Sequence, residues 1–326
     1  MERCPGEKTV MTTHGEESSP KAKIIAPDID VDAFKYFSRT LQTLLSSDVA
    51  KYAFAQIADG LPTSRVFDDY SMEYRDDIED RLDPSEASMI LVEEFCLEFR
   101  PETLRIDAQV AQAYQDAQPD SREFNMRLLE LVATVIHELA IDLYQALHPN
   151  GARQLATVMN TTGNIGEGIM MPDLRHPHYL NMSKYPHGAM EVVGYWAEAQ
   201  ILGGVILFDR GGSGRECKRA FIHPGRFATS IIQLSPTQVE LFATLGREEN
   251  ATENLHQVCP FSPEDDAERY SDNNNFALNI YRDAYERNPR IVETLRCVRP
   301  AEPDLIKACQ ELVARNEAER NRSKDS

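Results

Sequence analysis

The chain has 326 residues, 42% of them hydrophobic and 27% charged, enough to bury a sizeable core in one large domain or two small ones. Its 53 acidic and 34 basic residues leave a net charge of −19. A surface of that sign repels phosphate backbones and anionic lipid, which argues against nucleic-acid and membrane partners and for solubility.

Residues 1–27 are polar and punctuated by Pro and Gly, with no apolar run for a signal-peptide core, and predict a disordered tail. No later stretch approaches the ~20 apolar residues of a membrane helix. Six cysteines (Cys4, Cys96, Cys217, Cys259, Cys297, Cys309) are scattered without a CxxC pair. That is the pattern of a reduced, cytoplasmic chain, in which the four Asn-x-Ser/Thr sequons go unused.

The first helix is expected after Asp30, with Ala33, Phe34, Phe37, Leu41, Leu44 and Leu45 on one face. A second runs from Val49 to Ile57 and ends at Gly60-Leu61-Pro62. The acidic segment 68–86 reads as a solvated connection or frayed helix, and the apolar residues after Glu86 fit helix or strand equally. Helical spacing resumes over Ala108–Ala117. The strongest helix follows, capped by Asp120 or Ser121, with Phe124, Leu128, Val132, Val135, Leu139, Leu143 and Leu147 as its core stripe. Residues 151–188, rich in Gly, Pro, Asn and His, predict a long irregular connection of the kind that often carries function. A helix over Met190–Leu202 closes at Gly203-Gly204, and residues 204–209 and 217–222 predict a β-hairpin around RGGSGRE. Another helix starts at Ser235-Pro236. Residues 249–275 read as an acidic linker, followed by helices over 276–286 and 303–319 and a charged tail. The expected class is α+β, predominantly helical, with the main domain over 28–248 and a helical appendage over 276–326.

The chemistry lies in VATVIHELAIDLYQALH, residues 132–148. In a zinc-peptidase helix, histidines four apart share one ion and the intervening Glu activates the bound water. Here His137 and Glu138 are present, but the fourth position onward is Ile141. Asp142 stands ~140° round the helix from His137, and His148 is ~16 Å along it, so neither completes the pair. Other ligands must come from downstream: Glu191 and Glu198 share a face of the 190–202 helix, and the loop offers His176, His178 and His187. A zinc site of His137, Glu198, Glu191 and His178, with Glu138 as general base, is chemically reasonable. The plain alternative is that a His-Glu pair arises by chance in a structural helix and Glu198 pairs with an arginine.

The order of features resembles a group of fungal proteins with a zincin-like core. The matching stretches are His137-Glu138-Leu139-Ala140, Val192-Val193-Gly194-Tyr195-Trp196-Ala197-Glu198, Ile201-Leu202-Gly203-Gly204 and the turn from Asp209 to Cys217, about a third of the chain. The departures fall on ligands: Ile141 replaces the second histidine, and Val192 stands where the first downstream Glu belongs, with Glu191 one position away. The resemblance therefore implies a degenerate metallopeptidase-like core and a non-peptidase accessory or binding protein, acting on a small molecule or another protein. The alternative it leaves open is a metal-dependent hydrolase or other enzyme of fungal specialised metabolism. Elsewhere, RGGSGRE lacks phosphate-loop spacing, and a hairpin turn is its simpler reading, with a loop whose Arg210 and Arg215 face an anionic ligand as the alternative. Cys217 is the thiol with the most basic neighbours, although a plain strand residue is the favoured reading.

Overall fold

The structure, a computed structural model, describes residues 22–67, 76–149, 155–159, 165–169, 172–182, 185–225, 230–247, 255–272, 275 and 277–283. It opens with strand β1 (Lys23–Ile25), which pairs antiparallel with β2 (Arg105–Asp107), so the end of the segment expected to be a disordered tail is anchored. The rest of that tail lies outside the described residues.

Helix α1 (Val31–Leu45) is capped by the Asp30 carboxylate, which accepts from the backbone N–H groups of Asp32 and Ala33. Helix α2 (Asp48–Asp59) is capped by Ser47 and ends at Gly60 in the left-handed region, where a side chain is strained. After a single turn, α3 (Asp76–Glu79), the ambiguous stretch resolves as helix α4 (Glu86–Glu98), started by the Ser85 hydroxyl. Helix α5 (Ala108–Asp116) leads into α6 (Arg122–Leu147), whose cap is Ser121.

Helix α6 departs from its expected single stripe. Residues 124–133 are buried all the way round, while Leu139 and Leu143 are half-buried and Leu147 is exposed. A helix enclosed on every side is a central one, and α6 packs against α1, α2, α5, α7 (Glu191–Leu202) and α8 (Pro236–Thr244). Each large side chain fully buried there contributes about 1.5–3 kcal/mol.

The region expected to be an irregular connection forms, in part, an antiparallel hairpin, β3 (Leu155–Met159) with β4 (Ile165–Ile169). The sequence lacks the alternation that would have revealed it, because Gly166 and Gly168 occupy one of its strands. The hairpin expected around RGGSGRE is present as β5 (Val205–Asp209) and β6 (Ala220–His223), with Phe208 opposite Ala220 and Val205 opposite His223.

That hairpin is the centre of a larger sheet. Strands β7 (Ser230–Gln233) and β8 (Arg269–Ser271) extend it beyond β6, and β9 (Ile280–Tyr281) pairs with β5, giving the antiparallel order β8-β7-β6-β5-β9. Side chains alternate between its faces. Ile206, Phe208, Ala220 and Ile222 join the main helical core, whereas Val205, Leu207, Phe221, Ile231 and Ile280 form a second, smaller core with Tyr179 and Tyr195.

Two expectations about the C-terminal third are corrected. Residues read as an acidic linker supply helix α9 (Leu255–Val258) and strand β8 to the fold, because Leu255, Val258 and Phe261 find apolar neighbours and are buried. The described part of the expected 276–286 helix is a turn leading into strand β9, which is held by pairing to β5; the 303–319 helix lies outside the described residues. The fold is α+β, with helices carrying most of its regular structure.

Gly203 shows how the 255–261 segment docks. It ends α7 with φ +88°, and a Cβ there would fall 2.3 Å from the carbonyl oxygen of Phe261, whose N–H donates to Leu202 at 2.9 Å. Gly203→Ala is expected to destabilise the protein by more than ~1 kcal/mol in urea unfolding, since both the backbone conformation and the close approach oppose a side chain.

Candidate functional site

Helices α6 and α7 touch where His137 lies against Gly194. A Cβ at Gly194 would sit 2.5 Å from Nε2 of the His137 ring, so glycine is what lets the imidazole rest on α7. Three residues before and four after Gly194, Glu191 and Glu198 project to the same side of the helix and bracket the ring. Nε2 meets Glu191 Oε1 at 3.2 Å and Nδ1 meets Glu198 Oε1 at 2.7 Å. Their second oxygens are held by backbone: His187 N–H donates to Glu191 at 3.2 Å and Ile206 N–H, on β5, to Glu198 at 3.3 Å.

The fourth member comes from beyond β9. Arg282 Nη1 donates to Glu198 Oε1 in a short contact, and Nη2 stands 3.2 Å from His137 Nδ1. With Nδ1 protonated and directed at Glu198, that last approach is one between two donors that share the same carboxylate. The guanidinium also lies over the ring of Tyr195, 5.0 Å from its centre, and Tyr195 meets His137 edge-on at 4.7 Å. Exposure is 3% for His137, 2% for Glu191, 0% for Glu198 and 5% for Arg282, so the group is closed to solvent.

Its charges balance. Burial and then the Arg282 charge push the His137 pKa down, but hydrogen bonds to both carboxylates and the Glu191 charge outweigh them, and the pKa rises above its ordinary value. An imidazole whose protonated form is favoured and a guanidinium thus face two carboxylates, the condition under which buried ions are tolerated.

Zinc does not fit these residues. Three of the ligands expected from the sequence, His137, Glu191 and Glu198, do come together, but the carboxylates engage opposite nitrogens of one ring, so the three donors do not face a common point. Zinc needs its ligands converging at ~2.0–2.2 Å, and here a guanidinium already supplies the positive charge. The fourth expected ligand, His178, stands in another group. Glu138, the expected general base, is 27% exposed and takes Lys23 at 2.8 Å and His187 at 3.6 Å as partners. Burial, and next the charge of Glu138, holds the neighbouring Asp142 carboxyl above its usual range.

A second buried ion group braces the first. Glu130 on α6 accepts from Arg127 at 2.8 Å and from Arg210, and the two arginines outweigh the burial that would raise its pKa. Arg210 also donates to the carbonyl oxygens of Tyr281, at 3.1 Å, and of Arg282. It is 5% exposed, which rules out the anion-facing loop role read for it, and its work is to hold the chain that delivers Arg282. Cys217 touches the same group; burial first, then Glu130, pushes its thiol well above the usual range, so it is not an activated nucleophile.

Histidines of the 172–182 segment gather at the sheet. His176 is 1% exposed; its Nε2–H donates to the carbonyl oxygen of His223 at 3.2 Å and its Nδ1 accepts from the N–H of His178 at 3.3 Å. Burial, and next the neighbouring His178, lowers its pKa to about 3, so it is a neutral ring with both nitrogens in use. His178 Nδ1 lies 3.3 Å from Asp272 Oδ2, and Tyr179 Oη lies 3.1 Å from His223 Nδ1. His178, His223 and Asp272 each place one donor atom within 4.8 Å of the others, a grouping able to hold a metal ion.

Matched against known families, curated proteins and solved structures, the chain has no counterpart in any of the three. Arg282, Gly194, His223 and Asp272 had not been singled out as site residues. A glycine inside an otherwise strong helix was the only local signal among them, since helical glycine needs a packing reason.

Arg282→Met removes one of two cations from a buried pair of carboxylates and is expected to cost about 3–5 kcal/mol in chemical unfolding. The raised His137 pKa stabilises the fold fully below its unfolded value of 6.5, and that contribution is lost as pH rises through the higher folded value. The urea midpoint of the native protein, compared with that of His137→Gln, should therefore fall as pH is raised above about 6.5.

Proposed function

We propose that this chain is a non-peptidase binding or accessory protein in which a metallopeptidase-like pair of helices has become a structural ion cluster. One observation carries the reading: the Arg282 guanidinium bonds Glu198, and His137 is clamped between Glu198 and Glu191, where a peptidase of the resembled type would hold zinc and water. Burial supports it further, since neither water nor a peptide reaches residues 0–5% exposed. The zincin-like character of the core rests on the sequence resemblance together with the meeting of His137, Glu191 and Glu198 between α6 and α7.

The partner is a small molecule or another protein. A cleft of about 410 Å³ lined by Asp32, Lys35, Tyr36, Arg39, Phe124 and Arg247 is of a size that takes a small polar molecule. The charge of −19 continues to disfavour nucleic acid and membrane, and no described helix is long and apolar enough to cross a bilayer. Cytoplasmic residence goes with this reading; Cys96, Cys217 and Cys259 are free thiols.

A second reading, a metal-dependent hydrolase or other enzyme, draws on the grouping of His178, His223 and Asp272. A place in fungal specialised metabolism belongs to the resemblance alone.

Elemental mass spectrometry on protein purified without chelator, beside His137→Gln and Glu191→Gln, tests the first reading. Any bound zinc should be retained in both variants, and zinc-supplemented protein should not cleave denatured casein. Zinc at one per chain that disappears in both variants, with folding intact by circular dichroism, would overturn the reading.

A further inference from the structure

We infer that His178, His223 and Asp272 form a binding site for one divalent transition-metal ion, zinc or iron(II). The inference is independent of the reading of His137, whose residues take no part in it.

The geometry is close to what an ion requires. Three donors around an ion at ~2.0–2.2 Å stand ~3–4 Å apart. The His178–Asp272 edge is already 3.3 Å, and no donor pair exceeds 4.8 Å. The remaining closure of about 1 Å is within a small side-chain rotation of His178, which is exposed, and Asp272, which is half-buried. Two imidazoles and one carboxylate are the donor set of zinc hydrolases and of non-haem iron sites.

The frame is built beneath it. The three ligands come from separate parts of the chain: the segment before α7, the last residue of β6, and the residue after β8. His176 ties two of them together, with its Nδ1 on the N–H of His178 and its Nε2–H on the carbonyl of His223. A buried ring with both nitrogens committed to backbone groups acts here as a bracket and not as a ligand. The Tyr179 hydroxyl at Nδ1 of His223 is the outer contact that commonly fixes a ligating imidazole, with Nε2 then the nitrogen that binds the ion. Tyr179 is in turn stacked on Tyr195 at 4.3 Å. Burial grades from His223, 2% exposed, to the open side at His178, so a bound ion keeps a face toward solvent for water or a small ligand.

The test uses the full chain after chelator treatment. Zinc is titrated in competition with a chromogenic chelator, and cobalt(II) serves as a visible-absorption probe of ligand geometry. One ion per chain is expected, with a rise in thermal midpoint on zinc addition. His178→Ala and Asp272→Asn should each weaken binding by more than the ~10–100-fold typical of losing an outer contact, and should abolish the cobalt band. Glu138→Gln, a change outside the site, should leave both intact. Circular dichroism of the metal-free variants confirms folding, which these accessible positions permit. Absence of stoichiometric binding in the native chain, or binding unchanged in both ligand variants, would overturn the inference and leave a His–Asp ion pair only.

Discussion

Four charged side chains with almost no access to water set the terms for the rest of this molecule. Glu191 and Glu198 cannot be buried alone, because an uncompensated carboxylate in the interior costs several kcal/mol. His137 meets both carboxylates from α6, and Arg282 meets Glu198 from beyond β9. Three elements distant in sequence must therefore meet before any one of them is stable there. Arg210 strengthens the requirement, since it anchors to Glu130 on α6 while gripping the carbonyls of Tyr281 and Arg282. The edge strand β9 has only two residues, too few to hold itself, and these arginine contacts explain why it is placed at all.

The same cluster reaches the other face of the sheet through aromatic rings. Tyr195 lies under Arg282 and against His137, Tyr179 stacks on Tyr195, and the Tyr179 hydroxyl meets His223. Two buried histidines at the ends of this path have their pKa values moved in opposite directions for physical reasons. The pKa of His137 is raised because two carboxylates bracket it. His176 is neutral because burial and His178 oppose a proton and its nitrogens serve backbone groups. The pair α6–α7 is thus closed by an arginine, while the grouping of His178, His223 and Asp272, able to hold a metal ion, lies at the sheet, where a histidine and an aspartate remain within reach of solvent.

Much of the helical architecture was legible. Asp30, Ser121 and Ser235 start helices where capping residues were expected, Gly203 ends one, and the β5–β6 hairpin falls around its Gly-rich turn. Less visible were the short outer strands. Two to four residues carry no readable alternation, and β8 and β9 lie in polar surroundings that look like linker or helix. The stripe expected on α6 was too narrow because a helix buried all round has no polar face to define one.

For the candidate site, the sequence by itself determined the ingredients on the helices: a histidine on α6, and on α7 two carboxylates seven residues apart on one face with a glycine between them. Those facts follow from helical periodicity, which is local. Only the tertiary structure decided what the ingredients became. Whether the two carboxylates would share an ion or a ring depended on how closely Gly194 lets α6 approach and on an arginine 84 residues beyond Glu198. The meeting of His178, His223 and Asp272 was likewise a matter of sheet order, since no spacing along a chain specifies which strands become neighbours.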